Sequence, residues 1–463
     1  MSKIISLSQD SSIRQAFKEL NKFSEFGMII NIVSSQKKII GVLTEGDLRR
    51  SILKGHSLDT KIKKVMNKNF FYLYESEIKS KKIRNEHFNS NIISNVSYFP
   101  VVDSNMKLKQ VLHARNLKKI LGGQKIIFNK IEHHQPTVLV VGGGGFIGSV
   151  LTKKLLKLNY KVKVIDNFFY DKKSLNNLKK NKKLEIIKKD VSNLSYQIIA
   201  IKNVECVVFL AELVGDPICR KNPEDAIKTN FLALSSMANL CQYMNINKFI
   251  YTSSCSVYGS TKKKLPLIES SRLNPLSHYA RIKIMSEQSL LSYSSKNFSP
   301  TILRLATVYG SSFRQRFDLV VNTFIKNAYF KKKIIVDGDG KQLRPNVHVE
   351  DVADSIIRVI KAPTKKVKNQ IFNVCNEKEN LSIFQIAKKI QSKFRKCEVI
   401  FNPKKTDKRD YFVSSSKIKN TINFKAKFTI NNAVNDLKKY FDKNKKQNFD
   451  KNKFINLKSY SSR

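Results

Sequence analysis

The run Thr137-Val-Leu-Val-Val-Gly-Gly-Gly-Gly-Phe-Ile-Gly-Ser149 constrains the fold of this chain more than any other feature. Thr137 to Val141 is mostly β-branched and apolar without alternation, the pattern of a strand buried on both faces of a parallel sheet. It runs straight into glycines, of which Gly142, Gly145 and Gly148 recur at every third position, with Phe146 and Ile147 between the last two. Without side chains the backbone turns tightly and approaches a diphosphate, and Gly148 lets the following helix lie close on the sheet. That helix, from Ser149 to Asn159, carries Leu151, Leu155, Leu156 and Leu158, and its first amides face the phosphates. A second strand, Lys161 to Ile165, ends on Asp166 and Asn167. An acidic side chain there accepts hydrogen bonds from the adenosine ribose and repels a 2′-phosphate, which favours NAD over NADP. Glycine clusters also mark flexible turns, but the strand, helix and second strand around this one favour a dinucleotide site.

Further strands are predicted near residues 184, 206, 248 and 301, each followed by a helix-like segment such as Pro223 to Met244. This rhythm implies an α/β fold with a doubly wound parallel (Rossmann) sheet, and Ile371-Phe-Asn-Val374 is predicted to return to it. Residues of about 311 to 346 and 376 to 440 are left to build a smaller substrate lobe.

A second cluster supplies chemistry. The strand Lys248 to Tyr251 gives way to small hydroxyl residues, Thr252-Ser-Ser-Cys-Ser256, at the carboxyl end where such sheets bind ligands. Tyr279-x-x-x-Lys283 follows, a spacing that puts both side chains on one helix face. A free phenol is a poor base at neutral pH, and a neighbouring ammonium favours the phenolate. Tyr279 can then take the proton of a substrate hydroxyl whose oxygen Ser254 holds.

With these motifs in place, residues 137 to 440 resemble an extended short-chain dehydrogenase/reductase of the NAD-dependent sugar-nucleotide epimerase/dehydratase family. Val208-Phe-Leu-Ala211, Asp216-Pro217, Thr229-Asn230, Leu303-Arg-Leu-Ala-Thr-Val-Tyr-Gly310, Arg344-Pro-Asn-Val-His-Val-Glu-Asp351 and Asp407-Lys-Arg-Asp-Tyr411 carry the likeness. The resemblance implies NAD as cofactor, a nucleotide sugar as substrate and a homodimer. It implies Ser254 as the catalytic hydroxyl, Tyr279 as the acid/base and Lys283 as its partner. Asp190 and Val191 would contact adenine, Leu210, Ala211 and Asn230 would line the cofactor, and Arg344, Arg409 and Thr307 would meet the substrate. The chain departs from the family pattern at Glu212, which replaces a second alanine and could sit near the cofactor diphosphate, and at Thr307, where many relatives carry Asn. Dehydrating relatives place an Asp-Glu pair after the catalytic hydroxyl, because eliminating water takes an acid and a base; here Cys255 and Ser256 stand there. A 4-epimerase-like reaction is therefore expected, with reductase, decarboxylase or dehydratase chemistry, or a non-catalytic sensor, as alternatives. Cys255 itself is expected to be a small residue lining the pocket rather than a nucleophile.

Residues 1 to 125 differ in pattern. Gly41-Val-Leu-Thr44-Glu-Gly-Asp47 resembles the CBS-domain signature, in which Thr44 and Asp47 would hold the phosphate and ribose of an adenine nucleotide. Residues from Ile62 to Leu121, with Tyr98-Phe-Pro-Val-Val-Asp103 as central strand, resemble a second copy without the nucleotide residues. An α+β tandem CBS module that senses adenine nucleotide is expected, against a purely structural appendage. Two glycines, His133, His134 and Pro136 interrupt the periodicity, so 126–136 reads as a linker, 137–440 as the enzyme and 441–463 as a frayed basic tail.

The formal net charge is +50, which could attract nucleic acid or acidic membranes. The lysines are spread along the whole chain beside Asn and Ile, and clusters such as Lys172-Lys173, Lys179 to Lys183, Lys262 to Lys264 and Lys331 to Lys333 read as solvated faces, so no specific nucleic acid is expected. No stretch of about 18 apolar residues could span a bilayer, and no Cys, His and carboxylate cluster suggests a metal. The six cysteines lack C-x-x-C spacing and are expected as free thiols in the cytoplasm.

Overall fold

The computed structural model describes residues 4–21, 29–53, 55–68, 70–80, 98–113, 137–261, 265–295, 297–403 and 409–461. The chain divides into two units, residues 1–134 and 135–463. The expected linker with His133 and His134 and the cluster Lys262 to Lys264 lie outside the described residues.

In the first unit β1 (Ser6–Ser8), α1 (Ile13–Asn21), β2 (Ile29–Val33), β3 (Ile39–Thr44) and α2 (Glu45–Leu53) precede β4 (Leu73–Tyr74), α3 (Glu75–Ser80), β5 (Tyr98–Val102) and β6 (Leu108–His113). β2 pairs with β1 in parallel and with β3 antiparallel, and its register slips at Ile32/Val33. β5 pairs with β4 in parallel and with β6 antiparallel, and slips at Val101/Val102. The two three-stranded sheets thus repeat one pairing scheme down to the place of the bulge. Ile13 and Ala16, a helical turn apart, pack with Ile30, Ile32, Leu43 and Leu48 into the first core.

The second unit is built on seven strands: β7 (Val138–Val141), β8 (Val162–Ile165), β9 (Leu184–Ile187), β10 (Cys206–Phe209), β11 (Lys248–Ser254), β12 (Ser299–Leu305) and, after the short β13 (Thr307–Tyr309), β14 (Lys333–Asp337), β15 (Leu343–Arg344) and β16 (Asn346–His348), β17 (Gln370–Val374). The sheet order is β17-β12-β11-β10-β7-β8-β9, and every pairing is parallel. Chain order reverses between β7 and β10, so the connections leaving these strands part and open a crevice at their carboxyl ends. Because side chains alternate along a strand, Val138 and Val140 enter one core with Val150 and Leu151 of α4 (Phe146–Lys157), while Leu139 and Val141 enter the other with Ala200 of α5 (Leu194–Ile201). All four strand residues are fully buried. The unalternating apolar run at the front of the motif is the sequence trace of this two-sided burial.

α6 (Asp216–Lys221), α7 (Ala233–Tyr243) and α8 (His278–Ser292) follow in sequence, and α7 and α8 join the core of Leu139 and Val141, on the sheet face opposite α4. A smaller lobe gathers α9 (Val320–Lys331), β14, β18 (Leu381–Ser382), α11 (Ile383–Gln391), β19 (Glu398–Asn402) and α12 (Ile430–Lys443), while α10 (Val349–Lys361) packs into the core that holds α4. Its core joins Val321, Ile325, Ile386, Ile390, Val434 and Leu437 to Phe449 and Phe454. The expectation of a frayed end past residue 441 therefore fails. Phe449 and Phe454 are apolar anchors in a basic stretch, and both pack against Phe317; the chain then closes with α13 (Asn456–Ser461). No helix among the described residues is long and apolar enough to cross a membrane.

Candidate active site

The crevice between β7 and β10 opens into a cleft of about 930 Å³. Its floor is the glycine turn. Gly142 has φ +83°, and a Cβ there would lie 2.7 Å from the Ala211 nitrogen; a Cβ on Gly148 would lie 2.2 Å from the Gly142 carbonyl oxygen. Only glycine allows β7, the turn and α4 to stack this closely. α4 starts from Gly145 with no side chain accepting from its first amides, so these donors face the cleft unspent, with the positive end of the helix behind them. This is the arrangement a diphosphate fits.

Asp166 follows β8 on the cleft wall and accepts from the Gly144 amide at 2.8 Å and the Phe168 amide at 2.7 Å. Burial raises its carboxyl above the usual carboxylate range, and these two amides oppose the rise. Asn167 donates to Asp190 at 3.1 Å. Both line the cleft with Val191, Leu210 and Ala211, as do Phe146 and Ile147. The glycine cradle, the unspent amides and the acidic group at the next strand's end together suit a dinucleotide with a free ribose 2′-hydroxyl.

Ser254, Tyr279 and Lys283 line the same cleft. Ser254 is the last residue of β11, and its Oγ accepts from the Ser256 amide at 3.1 Å. Tyr279 lies in the first turn of α8, whose N-cap Ser277 accepts from the Ala280 amide. One turn on, the Lys283 ammonium sits 5.5 Å from the Tyr279 ring centre and 4.6 Å from that of Tyr251. It donates to the Thr252 carbonyl and, at 2.7 Å, to Glu212. Glu212, in the loop after β10, also accepts from the Tyr251 hydroxyl at 2.9 Å. The side chains of Lys283 and Glu212 are 2 % and 4 % exposed, so this is a buried ion pair. Burial pulls the Lys283 ammonium down and pushes the Glu212 carboxyl up, while their pairing opposes both shifts. Burial, then the Glu212 charge, hold the Tyr279 phenol well above its ordinary value. Glu212 thus turns onto Lys283 and lies on the cleft wall beside Tyr279 and Lys283.

Thr307, Arg344 and Arg409 also line the cleft. Arg344 donates to the carbonyls of Leu343 and Arg409, and Arg409 reaches Asp216 at 3.2 Å.

Two expected cleft residues stand elsewhere. Asn230 does not reach the cleft wall; it is fully buried and clamps the loop after β10, accepting from the Leu213 amide at 2.8 Å and donating to the Leu213 carbonyl at 3.0 Å. A side-chain amide matches one peptide unit, so it staples the loop that carries Glu212. Cys255 turns into the core under Ser254, with its thiol on the Arg304 carbonyl, and burial lifts it well above the usual thiol value. It is neither a pocket-lining residue nor a nucleophile. All six cysteines are free and buried, and among the described residues no group of His, Cys, Asp and Glu could hold a metal.

Sequence reasoning missed Arg314, Arg316 and the final helix. Arg316 is held by Asp318 through two hydrogen bonds of 2.9 Å. Arg314 is 2 % exposed and donates to Asn456 of α13. Its Nε is buried without a hydrogen-bond partner, and burial with the adjacent Arg316 pushes its guanidinium down to about 10. Both arginines line the cleft, as do Asn456, Leu457 and Tyr460. The Arg-x-Arg-x-Asp spacing in a loop after a Gly310 turn was the available signal.

In the first unit Thr44 and Asp47 cap α2. The Thr44 amide and hydroxyl donate to Asp47 Oδ2 at 2.9 and 2.7 Å, and the Asp47 amide donates back to Thr44 Oγ1 at 3.1 Å. Arg50 takes Asp47 Oδ1 at 2.6 Å.

Comparison with known proteins agrees with this geometry. Residues 138–375 match the NAD dependent epimerase/dehydratase family, and residues 1–54 match the CBS domain. A putative UDP-glucose 4-epimerase of Methanocaldococcus jannaschii is 30% identical over 245 residues, 52% of this chain and 77% of that protein. A UDP-N-acetyl-alpha-D-glucosaminuronate decarboxylase of Bacillus cytotoxicus is 28% identical over 259 residues, 54% of this chain and 78% of that protein. The solved UDP-N-acetylglucosamine 4-epimerase from Methanobrevibacter ruminantium, in complex with UDP-N-acetylmuramic acid, is 26% identical with a TM-score of 0.60, covering 66% of this chain and 99% of that one.

Proposed function

The chain belongs to the NAD dependent epimerase/dehydratase family, and from that premise we propose that it is a nucleotide-sugar epimerase acting at the sugar C4. NAD supplies a hydride acceptor and donor when bound. The residues that would hold it are Gly142, Gly145 and Gly148 with the first amides of α4 at the diphosphate, Asp166 at the ribose, and Asp190 and Val191 toward the adenine.

Tyr279 is assigned the proton transfer at the sugar hydroxyl, Ser254 the hydrogen bond to the same oxygen, and Lys283 the charge that steadies the phenolate. Arg344, Arg409 and Thr307 are assigned to the nucleotide sugar, the arginines because a guanidinium meets phosphate oxygens in pairs. The observation that carries the reading is that Ser254, Tyr279 and Lys283 share one cleft with the glycine turn. Cys255 and Ser256 follow Ser254, and Cys255 points into the core. No carboxylate at these two positions serves elimination, which favours epimerisation over dehydration. Incubation with NAD and a panel of UDP-, GDP- and CDP-sugars, with products separated chromatographically, tests the reaction. Interconversion of two C4 epimers is the expected result; a decarboxylated or dehydrated product, or none, overturns it.

The reading includes a homodimer, supported by Ile227, Leu232 and Met285, which stand 42%, 54% and 44% exposed on helical segments that pack together. It also includes an adenine nucleotide on Thr44 and Asp47. Since Arg50 occupies Asp47 Oδ1, the ribose would displace that guanidinium. Calorimetric titration with AMP, ADP and ATP checks this: binding lost in Asp47→Ala supports it, and no heat with any of the three contradicts it.

A further inference from the structure

The Glu212–Lys283 pair changes what Lys283 can do for Tyr279, and this inference rests on the proton-transfer role just proposed. Lys283 reaches Glu212 at 2.7 and 2.6 Å, whereas it stands 5.5 Å from the Tyr279 ring centre. Whether the shared proton resides on nitrogen or oxygen, the pair carries no net charge, so the phenol faces a dipole where a lone ammonium would favour its ionisation. The pair is fixed from several sides. Tyr251 on β11 donates to Glu212, the Thr252 carbonyl accepts from Lys283, and Asn230 staples the loop two ways at Leu213.

We propose that Glu212 is a positioning residue that ties up the Lys283 ammonium and so defers formation of the Tyr279 phenolate to more alkaline solution. The other ionisable groups facing Tyr279 are too few to reverse this. α6 contributes Asp216 and Cys219, which act in the same direction as Glu212, and the loop before α9 contributes Arg316, which acts against it. Arg316 is itself bound in both arms by Asp318. On α8 the cation recorded against the Tyr279 ring is Lys283. When Tyr279 ionises its O–H bond breaks and the proton passes to solvent; the phenolate so formed then takes the proton of a substrate hydroxyl, re-forming that O–H bond as the substrate's breaks.

The device makes Tyr279 a weaker acid, with less of it present as phenolate at neutral pH, than a lysine acting alone would make it. Its consequence is a turnover that climbs with pH above neutrality.

The test is an ultraviolet difference titration of the full chain with NAD present, in which the Tyr279→Phe protein is subtracted so that only this phenol is seen. In the wild type the midpoint is expected above that of free tyrosine. In Glu212→Gln and Glu212→Ala it is expected to fall by about one unit or more, a tenfold change in proton affinity, and the acid limb of turnover on the panel's best substrate should move with it. A merely structural Glu212 would lower the melting temperature and leave the midpoint in place. A wild-type midpoint at or below the ordinary tyrosine value, which needs no variant to fold, overturns the proposal, as does an unchanged or raised midpoint in both variants. If the midpoints shift as stated but Tyr279→Phe turns over normally, Glu212 still governs the phenol and it is the catalytic role of Tyr279 that fails.

Discussion

Single residues decide whether the cleft exists. Gly148 is the tightest contact in it: a methyl group 2.2 Å from the Gly142 carbonyl oxygen cannot be absorbed by a side-chain rotation, since both partners are backbone. Gly148→Ala should therefore leave residues 4–113 folded while weakening NAD at least tenfold, about 1.4 kcal/mol or more; calorimetric titration with NAD measures it, and unaltered affinity would contradict the stacking argument. Arg304 and Glu287 show the opposite dependence, on charge. They pair at 2.7 Å with exposures of 3 % and 4 %, and Glu287 also accepts from Ser253, next to Ser254. Glu287→Ala would strand a buried guanidinium, at a cost of about 3–5 kcal/mol, so a large fall in melting temperature is predicted, and a change of only a degree or two would argue against it. At this scale the glycines and Asp166 were legible because their chemistry is local. Glu212 was not: its substitution for a small residue was visible, but the lysine it meets lies 71 positions away, and only the fold brings them together.

Among the elements, α10 depends on the protonation of its cap. His348 is 1 % exposed, its Nδ1 accepts from the Glu350 amide at 3.2 Å, and its ring stacks on Phe428. Burial, with Lys154 nearby, lowers it to about 4. A histidine depressed in the folded state stabilises above its unfolded value near 6.5, and that stability is lost as pH falls toward the folded value. The full loss amounts to about 3 kcal/mol, because a proton on Nδ1 removes the acceptor and puts a charge at the positive end of the helix. Melting curves at pH 7.5 and pH 5 should show a smaller drop in His348→Asn than in the wild type; equal drops would place the acid sensitivity elsewhere. The strand and helix rhythm of the sheet was readable in advance, down to the return of residues 371–374, because two-sided burial leaves unbroken apolar runs. The loop clamp made by Asn230 was not legible for the converse reason, since an Asn near a ligand and an Asn clamping a loop have the same sequence signature.

For the whole molecule, 86 Lys and Arg against 36 Asp and Glu hid the closing segment. Residues past 441 look like a soluble basic tail until Phe449 and Phe454 are seen beside Phe317 and Phe441. A chain ending at Asn444 loses both aromatic side chains from that core, each worth about 3–5 kcal/mol when buried, and with them α13, which supplies Tyr460 and Asn456 to the cleft. It should melt far below the intact protein and bind NAD poorly; a melting temperature matching the full chain would return the segment to the status of a tail. The proposed function rests in the end on the phenol that shares its cleft with the glycine turn. The direct measurement is turnover of the best nucleotide sugar by the full-length Tyr279→Phe protein, alongside its NAD affinity and melting temperature. Turnover reduced by about 10²-fold or more, with affinity and melting unchanged, is the predicted result; wild-type turnover by that variant would contradict the assignment.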